Sequence, residues 1–284
     1  MKKKILFSRM RRSYFFMTGI ICLFIIFIAC YLLPQFVHWN PTATSLTERF
    51  MAPEGFGNGL NGHVFGTDSL GRDILARILI GGQYSILLAF TATIMITIIG
   101  SVLGTVAGYF GGWVDVVIMR ACETVLSMPS LILAIAIMAI LGPSTRNLIL
   151  VLTISGWVQI CKVTRNNVRV VKQQEFVLAS KALGAKGLHI MFKQIFPNVT
   201  TQIIILTSQR IGGVILLESA LSYLNLGIQA PWPSWGNMIA DGRVYLTTQP
   251  WMIIVPGCAL MMAVLSFNFI GDGIRDVLDT KRKI

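Results

Sequence analysis

The chain has 284 residues, 54% of them apolar and 13% charged, and a mean hydropathy of +0.70. That balance excludes an ordinary soluble globular domain and points to a protein with several membrane spans. A formal charge of +12 would suggest nucleic acid as the partner of a soluble protein, but its distribution along this chain explains it without one.

The first apolar run, residues 14–33, is long enough to cross ~30 Å of hydrocarbon at about 1.5 Å per helical residue. Lys2, Lys3, Lys4 and Arg9 precede it, as basic residues precede a signal peptide, and FIAC at 27–30 is similar to a lipoprotein cleavage site. The run is longer than the usual cleaved segment and carries Phe27 where Leu is expected, so it reads as a retained span. An external segment, 34–83, begins rich in Gly, Asn and Pro and then reads FGTDSLGRDILARILIGGQ. Ile74, Leu75, Ile78 and Leu79 recur at helical spacing, which predicts a short amphipathic helix lying on the outer surface.

Apolar runs at 84–109, 124–141 and 148–161 supply the second, third and fourth spans, the last of them short. Between the fourth and fifth lies a mixed, charged stretch, 162–202, longer than a plain connection needs. Part of it, 175–198, reads EFVLASKALGAKGLHIMFKQIFPN. Phe176, Ala179, Ala182 and Leu183 share a helical face, Gly184 and Gly187 end that helix, and Leu188, Met191, Phe192 and Ile195 start a second, closed by Pro197-Asn198. Two short helices joined at a glycine make a knob. Its small tip residues, Ala179, Ser180, Ala182, Gly184 and Ala185, admit another surface close to the backbone, and Lys181 and Lys186 suit an acidic partner; packing of the knob on its own bundle is the other reading.

The fifth span, 203–226, carries Arg210 and Glu218, which lie about 12 Å apart along one broad helical face. Charges at such depth face protein, water or each other, so both are candidates for lining a pathway or an interface with a partner subunit; a span starting deeper in the chain leaves Arg210 at the inner boundary. A second external loop, 227–243, places Trp232 and Trp235 near the membrane surface, and Trp251 opens the sixth span, 251–270, where interfacial indoles are expected. The fold class is therefore all-α, a polytopic membrane bundle of six transmembrane helices. Of 24 Lys and Arg, eighteen fall on the side of the N-terminus, the 162–202 stretch and the C-terminal tail, five on the other side, and Arg210 within a span. The positive-inside rule then puts both termini in the cytoplasm, with the surplus cations against anionic lipid.

Cys22, Cys30, Cys122, Cys161 and Cys258 lie in apolar runs without a CxxC pair, and His38, His63 and His189 are scattered, so no metal site is expected. No GxxxxGK[ST] phosphate loop occurs, so the sequence shows no nucleotide site of its own.

The 175–198 stretch resembles the cytoplasmic EAA loop of permease subunits of bacterial binding-protein-dependent ABC importers, whose pattern is Glu-Ala-Ala, three residues, Gly, nine residues, then Ile-x-Leu-Pro. Ala179, Gly184 and Pro197 match; Leu178 stands for the Glu, Ser180 for the second Ala, and Gln194 and Phe196 for the Ile and Leu. GTDSLGRD at 66–73, VDVVIMRACETVLSMPSLILAIAI at 114–137, ESALSYLNLGIQAPWPSWGNM at 218–238 and FNFIGDGIRDVLDTK at 267–281 are similar, in order, to blocks of the second permease subunit of the dipeptide, oligopeptide and nickel importer subfamily. The resemblance thus covers nearly the whole chain.

It implies the type I ABC importer permease fold, with 1–83 as N-terminus, first helix and external segment, and 84–284 as a five-helix transmembrane domain whose coupling loop spans about 164–199. It implies Ala179, Ser180, Lys181, Ala182, Leu183, Gly184 and Ala185 as the ATPase-coupling loop. The implied partners are a second homologous permease, two cytoplasmic ABC ATPases that use ATP and Mg, an extracytoplasmic substrate-binding protein, and membrane lipid. This chain would bind no cofactor and catalyse nothing itself. The bacterial cytoplasmic membrane is the implied location and dipeptides or oligopeptides the implied cargo, with nickel or a metal-chelator complex as the alternative. From other classes, an ion-coupled secondary transporter would show intramembrane acidic or histidine relays and an inverted repeat. A membrane enzyme would show paired carboxylates or a nucleophile with its base. Neither pattern stands out.

Overall fold

The computed structural model describes residues 13–36, 40–55 and 62–278. The basic clusters expected at both ends, from Lys2 to Arg12 and from Lys281 to Lys283, and His38 lie outside the described residues. In chain order the helices are α1 (Tyr14–Phe36), α2 (Ile74–Phe110), α3 (Gly112–Leu126), α4 (Ser130–Leu141), α5 (Thr145–Lys172), α6 (Glu175–Ala182), α7 (Gly187–Tyr223), α8 (Trp235–Gly242) and α9 (Trp251–Leu278). Helices α1, α2, α5, α7 and α9 are each long and apolar enough to cross a membrane; α3 and α4 reach that length only as a pair bent by 88°. The expected all-α bundle is present; of the six predicted spans, five are continuous helices and the remaining one rests on counting the bent α3–α4 pair as a span.

The break falls at Ser127-Met128-Pro129. Proline has no N–H to continue the ladder and its ring disfavours helical geometry in the residue before it. The predicted third span, 124–141, is therefore α4 with only the last turn of α3. The fourth is longer than its apolar run: α5 starts at the Ser144 cap, whose hydroxyl accepts from Asn147 N at 3.1 Å, and runs on to Lys172. Arg169 and Lys172 in its last turn complement the negative end of the helix.

The amphipathic surface helix expected at 74–79 is instead the beginning of α2. Asp73 caps it, its Oδ1 accepting from Ala76 N at 2.7 Å. Ile74, Leu75, Ile78 and Leu79 are all buried, under Val64 of the external segment and Trp235 and Met238 of α8. Trp235 is likewise inside the protein rather than at the lipid boundary; its Nε1 donates to Ile78 O at 3.0 Å. Trp232 remains half-exposed beside Tyr84.

Helices α2 and α5 form the closest pair, because Gly100, Gly104 and Gly108 bring one face of α2 against the α5 backbone. A Cβ added at Gly100 would lie 2.7 Å from Trp157 O, and one at Gly108 would lie 2.7 Å from Arg165 O. Small residues four apart are how membrane helices pack backbone to backbone without a hydrophobic driving force. Helix α7 lies across α2 and α5, α9 packs on α7, and α1 covers α9 and α2. The central core is built from Ile96, Leu148, Leu152, Ile215 and Leu221.

Candidate functional site

At the end of the bundle that carries the Lys- and Arg-rich stretch, α6 stands off the spans on two attachments. Val177 is buried with Val168, Val171, Ile190, Ile195 and Val199. Gln194 Nε2 of α7 donates to Ser180 Oγ of α6 at 2.7 Å. The rest of α6 points away: Phe176, Leu178, Ala179, Lys181 and Ala182 are exposed, and Leu183 is 88% exposed. The helix ends in a Schellman turn, in which Ala185 N donates to Ser180 O and Gly184 N to Lys181 O, both at 3.1 Å. Gly184 has φ +84° and nothing within 4 Å of where a Cβ would stand. Its glycine is thus required by the left-handed backbone and not by crowding.

The second helix of the predicted knob is not separate. It is the first part of α7, which continues through a π turn at Ile190–Ile195 and past Pro197 into the span. The wider turn accommodates the carbonyl that Pro197 cannot satisfy.

Beneath α6 the end of α5 is pinned to its neighbours. Asp115, in the first turn of α3, accepts a forked pair of bonds from Arg165, through Nε and through Nη2 at 2.6 Å, and a third from Arg169 Nη2 at 2.5 Å. Lys172 Nζ donates to Tyr109 O at 2.5 Å and sits 5.2 Å from the Tyr109 ring centre. Sequence reasoning missed this group. Arg165 and Arg169 one turn apart signal a shared face, but nothing local names an acceptor fifty residues earlier in the chain.

Arg210 and Glu218 are not brought together. Arg210 Nη1 donates to Gln159 Oε1 of α5 at 3.3 Å while its Nε is buried without a partner. Glu218 is 0% exposed, and its carboxylate accepts from Ser222 Oγ at 2.7 Å and Ser219 Oγ at 3.2 Å. Both hydroxyls lie on its own helix, so the polar group is satisfied locally inside the core.

At the opposite end, GTDSLGRD folds into a charged clasp. Asp68 accepts from Leu70 N at 2.8 Å, Arg72 N at 3.0 Å and Arg72 Nε at 2.6 Å, and Arg77 Nε lies 3.5 Å away. Asp241 of α8 approaches Arg72 at 3.6 Å and Arg77 at 3.8 Å. Burial pushes the Asp241 carboxyl above the usual carboxylate range, while Arg77 and Arg72 pull it down. The clasp ties the external segment, α2 and α8 into one unit.

Residues 100–284 match the family described as "Binding-protein-dependent transport system inner membrane component". The chain is 37% identical over 277 residues, 98% of its length and 89% of the relative's, to the dipeptide transport system permease protein of Alkalihalophilus pseudofirmus. It is 35% identical over 273 residues, 96% of its length and 88% of the relative's, to the oligopeptide transport system permease protein of Bacillus subtilis. Over 221 residues, 78% of this chain and 73% of the relative, it is 38% identical to the glutathione transport system permease protein of Pectobacterium atrosepticum.

Proposed function

Because the chain belongs to the family of binding-protein-dependent transport system inner membrane components, we propose that it is one of two homologous permeases of a peptide importer, coupled through α6 to ATPases on the cytoplasmic side. Support for peptide cargo comes from relatives named for dipeptide, oligopeptide and glutathione transport. Residues 1–83 then serve as anchor and external segment, and 84–284 as the transport domain, with both termini in the cytoplasm and the charged clasp facing the extracytoplasmic substrate-binding protein. ATP and Mg belong to the partner ATPases.

The observation that carries this reading is the mounting of α6. A coupling element must expose a surface without a partner in its own chain and still be fastened to a span. Ala179, Lys181, Ala182, Leu183 and Gly184, all exposed, meet the first need, whereas Ser180 and Ala185 are half-buried against α7 and the cluster beneath. Val177 and the Ser180–Gln194 bond meet the second. Because α7 runs continuously from Gly187 to Tyr223, 37 residues or about 55 Å at the helical rise, displacement of α6 by ATPase closure tilts a whole span as a rigid body. Arg210 and Glu218 ride on that same helix. Arg210, with an unused guanidinium nitrogen, is assigned to the pathway or the permease interface, and Glu218 to the helix junction behind it.

The test is to purify the tagged chain from its native membrane in mild detergent and identify its companions by mass spectrometry, beside the Gly184→Arg variant. A second permease, ATPases and stimulated ATP hydrolysis are expected for the unaltered chain. The variant should insert normally and lose transport and ATPase stimulation. Wild-type transport by Gly184→Arg, or isolation of the chain alone after crosslinking at Ala182, would overturn the assignment.

A further inference from the structure

Between α3 and α5, just inside the end of the bundle that carries α6, lies an open cleft of about 500 Å³ lined by Asp115, Val116, Met119, Arg120, Glu123, Lys162, Arg165 and Asn166. Its volume falls within the ~300–1,000 Å³ of ligand sites. Its charge does not balance. Both oxygens of Asp115 are taken by Arg165 and Arg169. Glu123 is paired with Arg120 at 2.8 Å. Lys162, half-buried, makes no ion pair or side-chain hydrogen bond among the described residues. The lining therefore holds three cations against two carboxylates that are already engaged. A lysine at this depth needs an anion or water.

The depth is marked by Trp113, 83% exposed two residues before Asp115, in the position of an interfacial indole. Lys162 lies three residues before Arg165 on α5, about 4.5 Å further along the helix; with Trp113 at the interface, the cleft would open at and just below the level of lipid phosphates. Beside its mouth α3 exposes Val114, Val116 and Val117, an apolar flank along which acyl chains can lie.

We propose that the α3–α5 cleft binds the head of an anionic phospholipid. Its phosphodiester sits against Lys162, the lining cation without an ion pair among the described residues, and receives a charge-assisted hydrogen bond from it, with the already paired Arg120 and Arg165 adding favourable charge on either side. The single net positive charge of the lining matches a monoanionic head better than a zwitterionic one. A bound lipid would add to the Asp115 ion pairs and the Cys122 packing that already hold α3 on α5. The site makes no use of α6 and stands or falls separately from the coupling role.

The test uses the full chain, with the subunits that co-purify, in nanodiscs of equal phosphatidylcholine and phosphatidylglycerol, with a photoreactive amino acid in place of Met119. Illumination should attach a phospholipid to this chain, with about fivefold enrichment of phosphatidylglycerol over phosphatidylcholine, and excess inorganic phosphate should leave the adduct unchanged. Lys162→Ala should abolish the enrichment and Lys162→Arg should keep it. Equal labelling by the two lipids in the unaltered chain would overturn the proposal, whatever the variants do. So would a polypeptide adduct, which would mean that an acidic partner chain covers the cleft. Loss of the lipid adduct in inorganic phosphate would identify a site for the free ion instead.

Discussion

Asp68 is a single carboxylate around which the external end is arranged. It caps its own turn through two backbone N–H groups and faces the guanidiniums of Arg72 and Arg77, both of them buried. Removing one partner of a buried ion pair leaves an uncompensated charge, at a cost of about 3–5 kcal/mol. Asp68→Ala is therefore expected to lower the thermal midpoint of the detergent-purified protein sharply, and Asp241→Ala less, because Asp241 is the more distant and more exposed of the two acceptors. Equal small shifts in the two variants would show that the clasp contributes no stability. Gly184 is a contrasting case: an added Cβ has nothing within 4 Å among the described residues, so the strain of a left-handed residue, about 1–2 kcal/mol, stays within the α6 turn. That is why Gly184→Arg is expected to test the proposed coupling without disturbing folding.

Among the helices, the glycine face of α2 decides how near α5 can come. Gly104→Leu would drive a branched side chain into Thr164, whose Cβ is already 2.8 Å from the position of an added Cβ. Overpacking of this kind costs about 1–3 kcal/mol or more, and the variant should give little folded protein on size-exclusion chromatography. Gly213→Ala on α7, where nothing lies within 4 Å, should be neutral or gain up to about 1 kcal/mol of helix propensity. A matching loss in both variants would mean that helix stiffness, and not close approach, explains the glycines. The bent pair α3 and α4 is the converse: a helix broken at Pro129 leans on α5 and leaves much of its apolar surface outward. It is the element most dependent on what surrounds the chain.

For the molecule as a whole, the proposed coupling requires that motion at one end reach the other. Continuous α7 links the α6 mounting to the core cluster around Ile215 and Leu221, and α8 joins that core to the external clasp. Val177→Asp is expected to unseat α6 by placing a carboxylate among Val168, Val171, Ile190 and Ile195, since an unpaired buried charge is not tolerated. The five continuous spans, held by other contacts, should insert as before. Co-purification of ATPases and substrate-stimulated ATP hydrolysis should both fall; undiminished ATPase binding would show that the seating of α6 is irrelevant to coupling.

The amino-acid sequence by itself determined the class of the molecule. Hydrocarbon thickness demands long uncharged runs, backbone hydrogen bonding inside lipid demands helix, and ordered blocks such as GTDSLGRD and the stretch around Gly184 carry the family. Gly184 as a helix end was equally legible, because the left-handed turn it supplies is a local property of glycine. What local pattern could not reveal was which long-range partners win. Pro129 stands at the break between α3 and α4, whereas Pro197 lies within continuous α7, just after a π turn. Ile74 looks like a surface residue until α8 covers it, and Trp235 like an interfacial one until it packs against Ile26, Ile74 and Ile78. Arg210 and Glu218 share a helix but find Gln159 and two serines instead of each other. Asp115 meets Arg165 only because the glycines of α2 draw α5 to the turn from which α3 departs. These outcomes rest on contacts between residues far apart in the chain, and only the packed tertiary structure decides them.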